Sequence, residues 1–220
     1  MIIHTCLQGS PEWAQLRVGV ATASEFSRLV TGTGAPSKSL SGYARELAAE
    51  LFAGKSLDAF DGNAWMLRGK EKEAEAIELY EFTNDVTVQR VGFITNDENT
   101  AGCSPDGLVG DDGGLEIKCL KAESHIEVVQ YHQKHGRCPP KYLPQVQGCL
   151  LISGRKAWWQ MFYHPDLPPL IVRNEPDLEW QEKLKAALTQ VITERDAILA
   201  QMRHDQMHIP DAKLSIIDAG

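Results

Sequence analysis

Apolar and polar positions alternate with two periods along this chain, one helical and one typical of strands. Apolar residues recur at helical spacing in four segments: 67–82, 122–133, 141–152 and 178–202. Short apolar runs rich in β-branched and aromatic residues predict strands in four further segments: 86–94, 115–120, 157–163 and 170–172. The segment 86–94 holds either one strand or two. Helices and strands that interleave in this way predict an α/β fold.

Glycine-rich turns separate several of these elements. Residues 110–114 form a hairpin turn by composition, which connects the apolar pair Leu108-Val109 to the strand at 115–120. The segment 31–39, rich in Gly and Ser, predicts a surface loop between two helical segments and is a candidate flap. No repeat, low-complexity stretch or linker divides the 220 residues, so we expect a single domain over 1–220.

The predicted hairpin gathers the side chains that point to chemistry. Along the strand at 115–120, Glu116 and Lys118 share one face, while their apolar neighbours share the other. The hairpin turn brings Asp106 back beside this strand, so that two carboxylates and an ammonium group come within reach of one ion. Mg²⁺ needs few protein carboxylates and takes its remaining ligands from water and phosphate. The pattern therefore predicts a Mg²⁺ site at which the ion polarises a phosphate group and Lys118 positions or deprotonates a water molecule.

A further carboxylate belongs with this group. Glu73 falls on the same side of the predicted helix at 67–82 as Ile77 and Tyr80, which follow it by four and seven residues. Among the glutamates of this helix, it is the one that the apolar stripe turns towards the core. A carboxylate drawn inward requires a cation, so Glu73 is predicted to support the metal site.

Net charge limits the ways in which the chain can hold nucleic acid. The whole chain carries a net charge of −8, and residues 1–56 carry five basic and four acidic side chains, which leaves −9 for the remainder. Bulk attraction to phosphate requires concentrated Lys and Arg. Any phosphate contact in the N-terminal region is therefore expected to be local, through a side chain such as Arg17, whose guanidinium can grip a phosphate as a fork.

Cysteine usage and hydropathy indicate a cytoplasmic protein. The five cysteines are odd in number, widely spaced and free of any C-x-x-C pair. Neither a disulfide framework nor a zinc site is predicted, and the thiols are expected to be reduced and mostly buried. The apolar runs are far shorter than the roughly 20 residues of a membrane span, and the N-terminus lacks the pattern of an export signal.

Several short blocks, taken in order, resemble the PD-(D/E)XK nucleases. The order is a helix glutamate, Glu73, then Pro105-Asp106, then Glu116-Ile117-Lys118, and then a helix that carries Gln145. More narrowly, the chain resembles the phage lambda-type alkaline exonucleases over most of its length. The blocks that carry this likeness are 13–25, 69–70, 80–82, 103–108, 114–119, 145–147, 157–158 and 163–166.

The resemblance implies a fold and a set of site residues. The fold is a PD-(D/E)XK restriction-endonuclease-like core, in which a central mixed β-sheet is flanked by helices. The implied catalytic residues are Lys118, Glu116, Asp106, Glu73 and Gln145. Lys118 would handle the nucleophilic water, and Gln145 would orient the reaction centre.

Metal and phosphate ligands are implied in the same way. Asp106, Glu116 and the backbone carbonyl of Ile117 would ligate metal at a two-metal Mg²⁺ site where Mn²⁺ can substitute. Glu73 would support this site directly or through water molecules. Arg17 and Ser24 would bind the terminal 5′-phosphate of DNA. The family's basic loop is represented here by 31–39, whose only charged residue is Lys38, so no DNA contact is carried over to it.

The same resemblance implies an activity and partners. The expected reaction is 5′→3′ exonucleolysis of one strand of linear double-stranded DNA, which releases mononucleotides and leaves a 3′ single strand for annealing-based recombination. The family also implies a ring-shaped homotrimer around DNA, a single-strand annealing protein as partner, and a phage or prophage origin in a bacterial host. A ring retains its substrate topologically, which reconciles DNA binding with an acidic exterior.

Two alternatives to the exonuclease hypothesis remain. A structure-specific or restriction-like endonuclease would use the same metal residues, although no extra target-recognition domain is evident in 220 residues. A non-catalytic DNA-end binding module would keep the scaffold but would not need the intact set of catalytic residues. The segments 178–202 and 214–218 are candidates for contacts with other subunits or a partner, although the helix is more simply explained as a cover for the core.

Overall fold

Two β-sheets surrounded by helices make up the part of the chain, residues 1–57 and 64–207, that a computed structural model describes. The segment 214–218 lies outside these residues. The α-helices within the described ranges are α1 (Pro11–Leu16), α2 (Leu40–Ala53), α3 (Ala64–Asn84), α4 (Ala122–His135), α5 (Leu143–Ser153) and α6 (Leu178–Met207). Two 3₁₀ helices span Ala23–Arg28 and Pro140–Tyr142. The strands are β1 (Ile2–His4), β2 (Ala21–Thr22), β3 (Val88–Gln89), β4 (Phe93–Thr95), β5 (Ala101–Cys103), β6 (Gly107–Val109), β7 (Gly113–Cys119), β8 (Ala157–His164) and β9 (Leu167–Asn174).

The strands divide between two mixed sheets. The four-stranded sheet has the order β1-β4-β5-β2, with β2 and β5 parallel and the other pairs antiparallel. The five-stranded sheet has the order β3-β6-β7-β8-β9, with β7 and β8 parallel and the other pairs antiparallel. The predicted α/β fold, with mixed strands and flanking helices, is confirmed.

The segment 86–94 supplies one strand to each sheet, a division that its apolar pattern does not reveal. The chain turns away from β3 at Gly92, whose N–H donates to the carbonyl of His4 at 2.9 Å. A Cβ atom on Gly92 would lie 2.1 Å from the carbonyl oxygen of Cys6, so the close approach of the two backbones requires glycine. This approach pairs β4 with β1 instead of continuing β3.

Strand β7 lies inside the five-stranded sheet and is covered on both faces. Leu115 and Ile117 pack against Ile77 and Tyr80 of α3 on one face. Helix α5 packs over β7 and β8 on the other face. Glu116 therefore lies in the interior and is only 4% exposed. Leu115 and Ile117 share one face, as the alternation predicts, and on the other face Glu116 is buried while Lys118 is half-buried.

Helix α5 crosses the largest hydrophobic cluster. Val146, Cys149 and Leu150 pack there with Phe26 and Trp158. The helix begins at Leu143, two residues later than predicted, because the preceding residues form a 3₁₀ turn with proline in its first turn. Helix α5 therefore packs against strands of both sheets.

Helix α6 covers this cluster as predicted. Leu184, Leu188 and Val191 are buried on its inner face. Asp177 caps its N-terminus, since Asp177 Oδ1 accepts a hydrogen bond from the N–H of Trp180 at 3.0 Å. Within the described residues, no helix is both long enough and apolar enough to cross a membrane.

The Gly-rich segment 31–39 connects the 3₁₀ helix Ala23–Arg28 to α2, as the sequence predicts. The N–H of Thr31 donates to the carbonyl of Ala35 at 2.8 Å, and a Cβ atom on Gly32 would lie 2.0 Å from the carbonyl oxygen of Pro140. The loop is thus folded back on itself and seated against the residues that precede α5. All five cysteines are free, but only Cys103 and Cys149 are buried, so the expectation of mostly buried thiols is only partly met.

Two helix glycines, Gly148 in α5 and Gly42 in α2, differ in the space around them, and this difference predicts different effects on stability. A Cβ atom on Gly148 would lie 2.3 Å from the buried ring of Phe26, whereas nothing lies within 4 Å of one on Gly42 in α2. We expect Gly148→Ala to lower the free energy of unfolding by about 1–3 kcal/mol through overpacking. Gly42→Ala is expected to leave it unchanged or raise it by up to about 1 kcal/mol through helix propensity. Urea denaturation of both variants measures this, and equal stabilities would contradict the described packing.

Candidate active site

The β6–β7 hairpin places Asp106 beside β7. The N–H of Asp106 donates to the carbonyl of Leu115 at 3.0 Å, and Asp106 Oδ2 accepts a hydrogen bond from the N–H of Ile117 at 2.5 Å. Gln8 Nε2 donates to the carbonyl of the preceding Pro105 at 2.7 Å. The Asp106 carboxylate is therefore held against the middle of the strand that carries Glu116 and Lys118.

Glu116, Lys118 and Gln145 form a closed triangle of hydrogen bonds. Lys118 Nζ donates to Glu116 Oε1 and to Gln145 Oε1, each at 2.8 Å. Gln145 Nε2 donates to Glu116 Oε1 at 2.6 Å. Burial alone would lower the pKa of Lys118, but the negative charge of Glu116 and its hydrogen bond raise that pKa above its ordinary value. Lys118 is therefore a cation at neutral pH in this arrangement.

Two buried carboxyl groups, Asp106 and Glu116, lie near a single ammonium group, Lys118, at the centre of this site. Burial, followed by the charges of Glu116 and Glu73, raises the pKa of Asp106 well above its ordinary value. Glu116 Oε2 is buried and accepts no hydrogen bond from the described residues. Two buried carboxylates with a free acceptor atom are the donor set that a hard divalent cation takes.

The described side chains do not by themselves enclose a cation. Among them, no three acidic, histidine or cysteine residues come together as a metal-binding group. Mg²⁺ does not require such a group, because it keeps several water molecules and takes further ligands from substrate phosphate. The two carboxyl groups and the free Oε2 atom of Glu116 therefore fit Mg²⁺ without a complete set of protein ligands.

Glu73 lies at the edge of the site. It is near enough for its charge to contribute to the raised pKa of Asp106. Its own direct partner is Arg90, whose Nη2 lies 3.0 Å from Glu73 Oε1, and its side chain is 28% exposed. The cation that an inward-facing glutamate needs is thus supplied by Arg90, a residue the sequence did not indicate.

A second group of polar side chains surrounds Arg17. The guanidinium carbon lies 4.2 Å from the ring centre of Trp13, which is a cation–π contact. Arg17 Nη1 and Trp13 Nε1 both donate to Ser104 Oγ, at 3.3 and 2.9 Å. Burial lowers the pKa of Arg17 below its ordinary value, but arginine remains protonated at neutral pH. An anion that reached this pocket would meet a cation already set in place.

Ser24 lies near the same region but does not share these contacts. It is exposed on the 3₁₀ helix, and its Oγ lies 3.3 Å from Thr22 Oγ1. Thr22 and Arg17 line one cleft of about 570 Å³. Tyr43 OH accepts a hydrogen bond from the N–H of Thr22 at 2.9 Å, and burial raises the pKa of Tyr43 to about 12. Ser24 is therefore connected to the cleft through Thr22.

Ser104 connects the two groups, and its role is one that the sequence does not reveal. It stands two residues before Asp106 in the chain, so their Cα atoms are at most about 7 Å apart. The only signal in the sequence is its place in the block 103–108 that carries the PD motif. The side chains around Arg17 and the carboxyl groups near Glu116 are consequently joined by a single short piece of backbone.

The raised pKa of Asp106 predicts how pH and Mg²⁺ affect stability. Above the ordinary value of 3.8, the folded metal-free protein keeps a proton that the unfolded chain releases, so the free energy of unfolding falls as pH rises towards the raised pKa. Asp106→Asn is expected to melt at a higher temperature than the wild type in EDTA at pH 8. Mg²⁺ is expected to raise the melting temperature of the wild type but not of the variant.

Thermal melts over a pH series measure both effects. Asp112→Asn serves as the control, because Asp112 lies at the hairpin turn with a side chain that is 60% exposed. Asp112→Asn should show the same dependence of the melting temperature on pH and Mg²⁺ as the wild type. A wild-type melting temperature that does not respond to Mg²⁺ or Mn²⁺ would count against a preformed cation site.

Several solved structures are similar to this chain, including two of an alkaline exonuclease and one of a phage-related exonuclease. An alkaline exonuclease, LHK-Exo, from Laribacter hongkongensis and LHK-Exo in complex with dAMP are each 28% identical to it, with a TM-score of 0.79 over 91% of this chain and 100% of theirs. A phage-related exonuclease from Haemophilus somnus 129PT is 18% identical, with a TM-score of 0.62 over 83% of this chain and 96% of its own, and it shares the fold. No protein with a curated description matches the chain. The likeness to the alkaline exonuclease confirms the predicted PD-(D/E)XK type of fold.

The family is shown by a match along the sequence itself. Residues 12–156 match the YqaJ-like viral recombinase domain. The matched range includes both groups of side chains described above, from Arg17 to Gln145. This result agrees with the resemblance to lambda-type alkaline exonucleases. The chain belongs to the family of YqaJ-like viral recombinase domains.

Proposed function

We propose that this chain is a Mg²⁺-dependent exonuclease that degrades one strand of linear double-stranded DNA from its 5′ end, releasing mononucleotides and leaving a 3′ single strand. The viral recombinase family and the likeness to an alkaline exonuclease support nuclease activity on DNA. The observation that carries the more specific proposal is the contact between Arg17 and Ser104, because it joins a pocket for one anion to the carboxylates.

The residues around Glu116 support a hydrolytic role. Asp106, Glu116 and the Ile117 carbonyl would hold Mg²⁺, which supplies Lewis-acid polarisation of the scissile phosphate when bound. Lys118, as a cation, would hold the attacking water by a hydrogen bond and stabilise the negative charge that develops on the phosphate. Gln145 orients both Glu116 and Lys118 through its amide. Glu73 would support the site from its edge.

The short spacing between the residues around Arg17 and those around Asp106 supports the proposed 5′→3′ direction and the mononucleotide product. A terminal 5′-phosphate bound by Arg17 and Ser104, with Ser24 nearby, would leave the adjoining phosphodiester close to Asp106, since Ser104 and Asp106 are two residues apart. Hydrolysis there would release one nucleotide and create a new 5′-phosphate. Repetition of this step produces 5′→3′ degradation, and the opposite strand is left single-stranded.

The topology of the DNA substrate and two lysine variants test this proposal. The wild type with Mg²⁺ is expected to degrade linear duplex DNA with 5′-phosphates and to spare closed circles. Lys118→Met should lower kcat by about 10²–10³-fold through loss of the positive charge, with end binding retained. Lys156→Met is the matched control, because the Lys156 side chain is 77% exposed and pairs with Asp112. Gel assays with labelled ends measure the rates, and melts confirm that each variant is folded.

Three outcomes would contradict parts of the proposal. Equal cleavage of closed circular and linear DNA would replace it by an endonuclease of the same catalytic class. Full activity in Lys118→Met would overturn the assignment of the reaction centre. End binding by the wild type without any cleavage would favour a non-catalytic DNA-end module.

We also propose that this chain, with residues 1–220 as one nuclease domain, is a phage or prophage protein of a bacterial host. It would form a homotrimeric ring and act with a single-strand annealing protein. The resemblance to lambda-type alkaline exonucleases supports the ring. The net charge of −8 is compatible with it, because a closed ring retains DNA without bulk attraction. Light scattering coupled to size-exclusion chromatography is expected to return three times the chain mass. A monomeric mass at micromolar concentration would contradict the ring.

A further inference from the structure

The turn that follows Arg17 is held by hydrogen bonds with two charged side chains from distant parts of the chain. Arg195 of α6 donates from Nη1 to the carbonyl of Gly19 at 2.7 Å, across 176 residues. Glu50 of α2 accepts a hydrogen bond from the N–H of Gly19 through Oε2, at 2.9 Å, across 31 residues. Both backbone polar groups of Gly19 are therefore bound by ionised side chains, which form stronger hydrogen bonds than neutral ones.

Backbone conformation and close packing restrict Gly19 further. Its φ is +66°, which favours glycine, and a Cβ atom would lie 2.2 Å from Leu51 Cγ. Helices α2 and α6, which supply the two partners, pack against each other. The turn is thus fixed by backbone conformation, by close packing and by two charge-assisted hydrogen bonds at once.

Arg195 is an unusual residue to use for this purpose. It is only 7% exposed, and a buried cation is costly unless it is paired. Asp196 supplies the pairing, since Asp196 Oδ1 lies 2.8 Å from both Nε and Nη2 of Arg195. The remaining Nη1 is directed at the Gly19 carbonyl. The guanidinium therefore bridges α6 to the turn, and α6 does more than cover the core.

A backbone hydrogen bond connects the turn at Gly19 to Arg17. The N–H of Val20 donates to the carbonyl of Arg17 at 3.0 Å, which closes the backbone directly around Gly19. The guanidinium of Arg17 must meet the Trp13 ring and Ser104 Oγ together. A long side chain that binds one phosphate in a fixed geometry gains from a backbone that does not move, because less freedom is lost on binding.

We propose that Arg195 is the positioning residue for Arg17, and that it sets the preference for a 5′-phosphate over a 5′-hydroxyl end without touching DNA. The inference rests on the proposed function, in which Arg17 receives the terminal phosphate. It assigns α6 a part in recognition of the DNA end. A purely structural role for Arg195 would instead affect folding and leave the choice between the two ends unchanged.

The ratio of kcat/KM for 5′-phosphate ends to kcat/KM for 5′-hydroxyl ends tests this role. The substrates are linear duplexes that differ only in that group. Arg17→Gln defines the ratio expected when the phosphate contact is lost. Arg195→Met should lower the wild-type ratio at least ten-fold by raising KM for the phosphorylated end, with KM for the hydroxyl end unchanged. Arg195→Lys, which keeps a cation and a donor, should retain an intermediate ratio.

Arg155→Met is the matched control for the loss of a structural arginine. Arg155 Nη1 also donates to backbone carbonyls, those of Gly110 at 2.8 Å and Gly113 at 2.7 Å, at the turn of the β6–β7 hairpin. We expect its melting temperature to fall while its ratio stays at the wild-type value. If Arg195→Met does not fold, Arg195→Lys carries the test, with a fall in the ratio of at least three-fold.

The outcomes separate this inference from the function on which it rests. A wild type without preference for 5′-phosphate would overturn the phosphate pocket and the inference together. A wild-type preference that is lost in Arg17→Gln but kept in both Arg195 variants would overturn the inference alone. The same result would follow if Arg195→Met slowed both substrates equally, as a general loss of stability does.

Discussion

The negative charge buried on β7 is the constraint on which the rest of the site depends. Glu116 lies in a strand that is paired on both edges and covered on both faces, and an uncompensated carboxylate there would cost several kcal/mol. Lys118 and Gln145 compensate it, so α5 must place Gln145 accurately on β7. Asp106 adds a second buried carboxylate that Lys118 does not contact. When Asp106 is ionised, the two carboxylates outnumber the one ammonium group, and this excess of negative charge favours the binding of a divalent cation.

Each of the two sheets holds a different part of the site. Strand β5 of the four-stranded sheet ends at Cys103, and β6 of the five-stranded sheet begins at Gly107. The residues between them, 104–106, pass from the contacts of Ser104 with Arg17 and Trp13 to the carboxyl group of Asp106. The first sheet, with α1 and the turn at Gly19, holds Arg17, whereas the second holds Glu116 and Lys118. Any shift of one sheet relative to the other would change the distance between phosphate binding and hydrolysis.

The cleft at Arg17 combines charges of both signs, and Arg17 is the side chain that we propose for the terminal phosphate. The cleft is lined by three basic side chains, Arg17, Arg28 and Lys55, and three acidic ones, Glu25, Glu46 and Glu50. Arg28 is paired with Glu46 at 2.7 Å, whereas Arg17 rests on an aromatic ring and a hydroxyl. Recognition by one oriented guanidinium does not require a field of positive charge. It requires a rigid backbone, which the contacts of Gly19 with α2 and α6 provide.

The sequence by itself determined those features that depend on spacing within one element. The alternation along 115–120, the hairpin before it, the Asp177 cap and the inner face of α6 all follow from local periodicity, and Asp106, Glu116 and Lys118 follow from them. Only the tertiary structure decided that Arg17 meets Ser104, that Glu73 pairs with Arg90 and that Gly19 is held by Arg195. These contacts join residues 87, 17 and 176 positions apart. They depend on which helices and sheets pack together, which is set by burial summed over the whole chain and leaves no periodic signal in any one segment.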